Sequence, residues 1–267
     1  MQTTWERDAD EIYNAFQKFT TDKSLLVKII CARTYGQMAL IGQVFEEKYG
    51  VPLLEKVVNE LTTLMGSLLT GSGTGLSKLL TYRILPQPER DAALLRDFTS
   101  GMSIEDANLL EIICTRSNAE LSAALECFAT TYEKQLPDVI KAKSSYKNYR
   151  EFVLRILECQ HDESNEKLSQ QEAQYYANEL YNAGAARTIG MDPEPFIRIL
   201  SNISIVQFEQ INEEYPKKQL IKDIQAKTGG DFQLALVTRC TDKYDYLAQR
   251  LDQALKGFSP NTESICR

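Results

Sequence analysis

The sequence predicts an all-α chain built as an array of five-helix repeats, three complete and a fourth truncated, and three observations carry that prediction. Alternating Val, Ile and Thr runs of the kind that build strands are scarce. Apolar residues instead recur at i, i+3, i+4 and i+7 almost without interruption. The segment DKSLLVKIICARTYGQMALIGQVFEEKYG, from Asp22 to Gly50, is echoed 83 residues later by EDANLLEIICTRSNAELSAALECFATTYE, from Glu105 to Glu133. Leu26, Ile30, Cys31, Arg33, Phe45 and Tyr49 fall on Leu109, Ile113, Cys114, Arg116, Phe128 and Tyr132, so the apolar positions return in helical register. A more divergent third copy runs from Asp192 to Pro216 as DPEPFIRILSNISIVQFEQINEEYP.

Taken in order, the first repeat (1–88) reads as a helix over Asp8 to Phe16, a turn at Lys18 to Asp22, and helices over Lys23 to Arg33, Gln37 to Lys48, Pro52 to Leu61 and Leu76 to Leu85. Asp22 and Ser103 are expected N-caps, and Pro52 and Pro193 sit at first-turn positions. Gly50 and the Pro86, Pro88 pair mark stops. Between Met65 and Lys78, the glycine-rich MGSLLTGSGTGLSK reads as an elongated insertion over about 65–77. The second repeat covers 89–158, the third 172–241, and the fourth begins at 242 and breaks off at 267. CQHDESNEKLSQQ, 159–171, is expected to be an exposed linker.

With 43% hydrophobic and 25% charged residues, 267 residues can bury a globular core unaided. Thirty basic against 37 acidic residues leave a net charge of −7, which excludes a general nucleic-acid binder held by phosphate neutralisation. MQTTWERDAD is acidic and lacks the order of a signal peptide, so a cytosolic address is expected. No window carries the run of about 20 apolar residues that spans a bilayer, so any membrane contact is peripheral. Six cysteines without CxxC spacing (Cys31, Cys114, Cys127, Cys159, Cys240, Cys266) read as reduced core residues. The single histidine, His161, reads as solvated in the linker, too isolated for a catalytic pair. Gly71, Gly73 and Gly75 lack the following Lys-Ser/Thr and the preceding strand of a phosphate loop. Trp5 is expected to pack on the first helix, and Arg33 and Arg116, at equivalent helix ends, to cap and to ion-pair with a neighbouring loop. No catalytic residue stands out, and the chain reads as a non-enzyme.

These residues resemble the annexin family over nearly the whole chain. DADEIYNAF...TTDKSLLVKIICART and DAALLRDF...SIEDANLLEIICTRSNAEL look like the annexin first helix, a K-G-x-G-T-D loop, and a second helix ending in Arg. AGAARTIGMDPEPFIRIL and KTGGDFQLALVTRC carry the likeness in the third repeat, and YDYLAQRLDQALKGFSPNTESICR in the opening of a fourth. The family normally has four repeats, so the ending implies either a piece of a longer protein or a short form with an exposed apolar edge. That edge would be open to a protein partner or to self-association.

The resemblance implies a peripheral membrane protein in which calcium bridges loop carbonyls and one downstream carboxylate to anionic phospholipid. In the family pattern that carboxylate follows the loop acid by 38 positions, and Glu60 stands there after Asp22. The implied ligands of the first repeat are the loop residues Phe16, Lys18 and Thr20 with Glu60, although Lys18 and Thr20 replace both motif glycines. Thr99, Gly101 and Ser103 could supply carbonyls in the second repeat, but Lys143 occupies its carboxylate position. Gly190 survives in the third loop, where Lys227 replaces the acid. The fourth keeps Gly257 and Ser259 before Pro260 and Asn261. The expectation is a weak or absent calcium response. Lys143 and Lys227 are either simple losses of a ligand or contacts to anionic lipid. The competing reading is a calcium-independent helical scaffold for protein partners such as the cytoskeleton.

Overall fold

The computed structural model describes residues 3–63, 74–256, 261 and 264–265. Among the described residues there are sixteen α-helices and no strand. The chain divides into two compact units, Met1–Pro86 with Arg250–Arg267, and Gln87–Gln249.

The first unit opens with α1 (Thr4–Gln17), α2 (Lys23–Cys31), α3 (Tyr35–Tyr49), α4 (Leu53–Thr63) and α5 (Thr74–Ile84). The first helix starts before the first apolar repeat because Thr3 and Glu6 cap it reciprocally: the Thr3 hydroxyl accepts from the Glu6 amide at 3.2 Å, and the Glu6 carboxylate accepts from the Thr3 amide at 2.6 Å. Asp22 caps α2 as expected, accepting from the Leu25 amide at 3.0 Å. The third helix ends at Gly50, whose φ of 70° needs no Cβ relief. Ile12, Leu26, Ile30, Met38, Ile41 and Phe45 form the core of this unit, each at most 1% exposed, and Trp5 packs against it.

The second unit holds α6 (Gln87–Ser100), α7 (Asp106–Thr115), α8 (Asn118–Tyr132), α9 (Leu136–Lys143) and α10 (Lys147–Ile156). It continues through α11 (Gln170–Ala183), α12 (Pro193–Leu200), α13 (Ile205–Glu214), a 3-10 turn at Pro216–Lys218, α14 (Leu220–Lys227) and α15 (Gly230–Arg239). Within each five-helix set the first helix packs on the third: α1 on α3, α6 on α8, α11 on α13. The third helix always opens on a reciprocal capping box, Thr34 with Gln37, Ser117 with Glu120, and Ser204 with Gln207. Each such box is worth about 1 kcal/mol. The echo found in the sequence is a packing echo as well, since Leu109, Ile113 and Phe128 are buried like their counterparts.

Several sequence expectations need correction. Ser103 caps nothing, because α7 starts at Asp106 with Glu105 in the N-cap position. Pro52 precedes the first residue of α4, and Pro88 lies inside α6 rather than stopping α5. Of the inserted loop, residues 64–73 lie outside the described ones, whereas Thr74 and Gly75 already belong to α5. Cys31 is exposed, so it is no core residue; the five described cysteines are all free, Cys240 alone among them is buried, and Cys266 lies outside the described residues.

The 159–171 segment is an ordered strap. The Asp162 amide donates to the Asn202 carbonyl at 2.6 Å, Asn118 donates to the His161 carbonyl at 2.7 Å, and Gln207 donates to the Asp162 carboxylate at 2.5 Å. His161 is therefore not solvated: its side chain is 8% exposed, and burial, with Arg239 close by, lowers its pKa to about 4. Above pH ~6.5 the ring is neutral folded or unfolded. As pH falls from there toward 4 the unfolded chain binds a proton that the native chain refuses, so stability is lost across that window. Urea midpoints measured from pH 8 to 4.5 are expected to fall more steeply for the natural chain than for His161→Gln, and parallel curves would refute the assignment.

The last described helix, α16 (Lys243–Leu255), buries Tyr246 and Ala254 yet leaves Tyr244, Leu247, Leu251 and Leu255 exposed at three- and four-residue spacing. No helix among the described residues is long and apolar enough to cross a membrane.

Candidate functional site

The turn between the first and second helix of each set is closed by one main-chain hydrogen bond at its neck. The Asp22 amide donates to the Ala15 carbonyl at 3.0 Å, Glu105 to Phe98 at 2.9 Å, and Asp192 to Ala183 at 2.7 Å. Asn261 donates to Ala254 at 2.8 Å in a fourth such turn, and its side chain accepts from Ser264 at 3.1 Å as Asp22 does from Leu25. Main-chain atoms alone make this bond, so the closure of the neck does not depend on which side chains the turn carries. Gly257, Ser259 and Pro260 lie outside the described residues.

In the first loop Phe16 is buried, while Lys18 and Thr20 are exposed. The Lys18 ammonium pairs with Asp22 at 2.5 Å. Glu60 is answered by Lys56, one helical turn back, at 2.8 Å, with side chains 31% and 22% exposed. Such surface pairs contribute about 0–1 kcal/mol, so the Lys56 pairing is a weak one.

The second loop has Thr99 buried, its hydroxyl donating to the Leu95 carbonyl at 2.8 Å, with Gly101 and Ser103 exposed. Lys143, the last residue of α9, turns its ammonium back to this loop and donates to the Gly101 carbonyl at 2.6 Å and to the Thr99 carbonyl. Those are two of the three oxygens expected to face calcium. In the third loop Gly190 is exposed at φ 64°, and Lys227, the last residue of α14, donates to the Arg187 carbonyl at 2.7 Å. Both lysines are half-buried.

A calcium ion needs about six to eight oxygens and net negative ligand charge. Among the described residues no three His, Cys, Asp or Glu side chains converge on one point. A like charge about 4 Å from a bound ion costs several kcal/mol even at an effective dielectric of ~20.

Sequence reading missed the loop tips. Three positions before each loop's acidic residue stands a large apolar side chain in open solvent: Phe19, Met102 and Ile189, exposed by 103%, 105% and 88%. The sequence puts Phe258 at the same distance before Asn261, outside the described residues. Aligning the loops on their acids was the available signal.

The first helices of the first two sets, α1 and α6, each carry a buried carboxylate gripping the end of the second helix. Arg33 donates to both oxygens of Asp8, at 2.6 and 3.0 Å, and Arg116 does the same to Asp91 at the same two distances. The ion pairing expected of these arginines therefore reaches the first helix of their own set rather than a neighbouring loop. Ile203 stands at the matching place before the third Ser cap, and the Arg239 guanidinium donates to its carbonyl at 2.9 Å.

The annexin family profile matches residues 7–70, 90–155 and 175–238, most of the chain, in three separate stretches. The chain belongs to the annexin family. Mouse annexin A13 is 29% identical over 98% of this chain and 80% of its own length, and human annexin A3 is 28% identical over 97% and 78%. Among solved structures, annexin III superposes with a TM-score of 0.86 at 26% identity, covering all of this chain and 80% of the other. The annexin family is known in general for calcium-dependent binding of phospholipid, and its members are generally not enzymes. This annexin carries the family's helical repeats.

Proposed function

We propose that this annexin docks peripherally on anionic phospholipid surfaces, on the cytosolic side of membranes, with its calcium response reduced to one marginal site formed by the Phe16, Lys18 and Thr20 carbonyls and Glu60. The observation that carries the reading is the recurrence of a fully exposed apolar side chain at one register of three loops, Phe19, Met102 and Ile189. An isolated side chain of that size leaves water with a gain of about 1.5–3 kcal/mol, so each such loop adds membrane affinity without many ionic contacts. The free thiols among the described residues agree with a reducing compartment.

A second reading, a scaffold for protein partners or for self-association, is favoured by the exposed stripe Tyr244, Leu247, Leu251 and Leu255 on α16. Co-sedimentation with phosphatidylserine vesicles separates the two. The natural chain is expected to pellet, and Phe19→Ser, Met102→Ser and Ile189→Ser combined to stay in the supernatant. No pelleting even at millimolar calcium would give the scaffold reading the field. Calorimetry is expected to show one weak calcium event that Glu60→Gln abolishes; an event that survives Glu60→Gln would refute the site.

A further inference from the structure

We propose that Lys143 and Lys227 are built-in replacements for the divalent cation, each holding its loop in docking shape without calcium and barring calcium from it. The two ammonium groups arrive from the same structural place, the last residue of the fourth helix of a set, and each ends on main-chain oxygens of the first loop of that set. Lys143 takes Gly101 at 2.6 Å and Thr99 beside it, a two-oxygen grip across the loop, and Lys227 takes Arg187 at 2.7 Å. In both cases the donor and the loop lie 40 or more positions apart in sequence. The contact thus ties two elements that are remote in sequence, as a bridging ion would.

The chemistry supports a substitution rather than a vacancy. An ammonium has three donors and one positive charge, and a convergent set of carbonyls is the surface that satisfies both. Charge-assisted bonds of this type are about twice as strong as neutral ones. The lysine is covalently attached, so ordering the loop no longer depends on the concentration of a free ion. The half-burial of both side chains shows that they lie against protein. Their ammonium groups turn back to carbonyls of the loop. With the neck closed by main-chain atoms and the rim closed by lysine, Met102 and Ile189 are presented outward in the absence of metal.

The membrane half of this proposal rests on the docking reading above; the calcium half does not. Two pairs of variants in the full chain test it. Calcium titrated calorimetrically into Lys143→Glu with Lys227→Glu is expected to show two binding events that the natural chain lacks. Equal calcium stoichiometry in the natural chain and this variant would overturn the proposal. In Lys143→Met with Lys227→Met, with no calcium present, amide exchange at residues 100–105 and 187–192 is expected to accelerate about tenfold, and unchanged exchange would also overturn it. Pelleting with equimolar phosphatidylserine–phosphatidylcholine vesicles in chelator is expected for the natural chain and lost in the methionine pair. If the natural chain pellets under no condition, the docking reading fails while the titration and exchange results still decide the role of the lysines.

Discussion

Asp91→Ala is expected to lower the unfolding free energy by about 3–5 kcal/mol, the range for removing one partner of a buried ion pair. The Asp91 side chain is fully buried and accepts from two nitrogens of Arg116, at 2.6 and 3.0 Å, while Arg90 approaches it at 3.5 Å. Removing the carboxylate leaves guanidinium charge in a site from which water is largely shut out, Arg90 and Arg116 being 14% and 17% exposed. Asp8→Ala should cost less, because Arg33 is 24% exposed and keeps more water. Asp91→Leu combined with Arg116→Met removes both charges and should recover much of the loss. Urea denaturation followed by far-UV circular dichroism measures all four chains, and an Asp91→Ala loss below that of Asp8→Ala would refute the burial argument.

Phe45→Ala is the second large effect, again about 3–5 kcal/mol from lost burial and the cavity left behind. Phe45 is completely buried, its ring 5.0 Å from that of Tyr49 and 6.2 Å from that of Tyr13. Those two tyrosines stack on each other at 3.8 Å, and Tyr49 donates to the Asp10 carboxylate, which also holds Lys48 at 2.5 Å. Emptying the space beneath the stack therefore loosens a polar surface network as well as the core. Phe45→Leu fills part of the volume and should cost less. The sole tryptophan, Trp5, packs against the same core, so its emission reports the change directly; an unshifted urea midpoint by fluorescence would refute the prediction.

What could be read in advance was whatever depends on local order. Helices and their repetition follow from a 3.6-residue apolar period, and Leu26, Ile30 and Phe45 with their counterparts landed in the core as that period requires. The caps were written in the sequence too, as Thr34-x-x-Gln37 and Ser117-x-x-Glu120, but Ser103 was preferred for its residue type alone. It fails because the Glu105 amide is committed to Phe98, which delays the start of α7. His161 escaped because polar composition suggests exposure, which holds for most of 159–171, whereas the partners that fix the segment beside it, Asn118 and Gln207, are more than 40 residues away. The lysines show the same limit at the site. A reversal of charge at positions 143 and 227 is visible in sequence, but the turn of each ammonium toward its own loop is a tertiary fact.

The neck bond seen in four turns has a consequence for how such a protein can change. A loop whose neck is tied by backbone atoms keeps that tie when its lining changes, so mutation can replace the groups that hold the rim one residue at a time while the neck stays shut. Descendants of one ancestor could then differ in what switches them on while sharing the same frame.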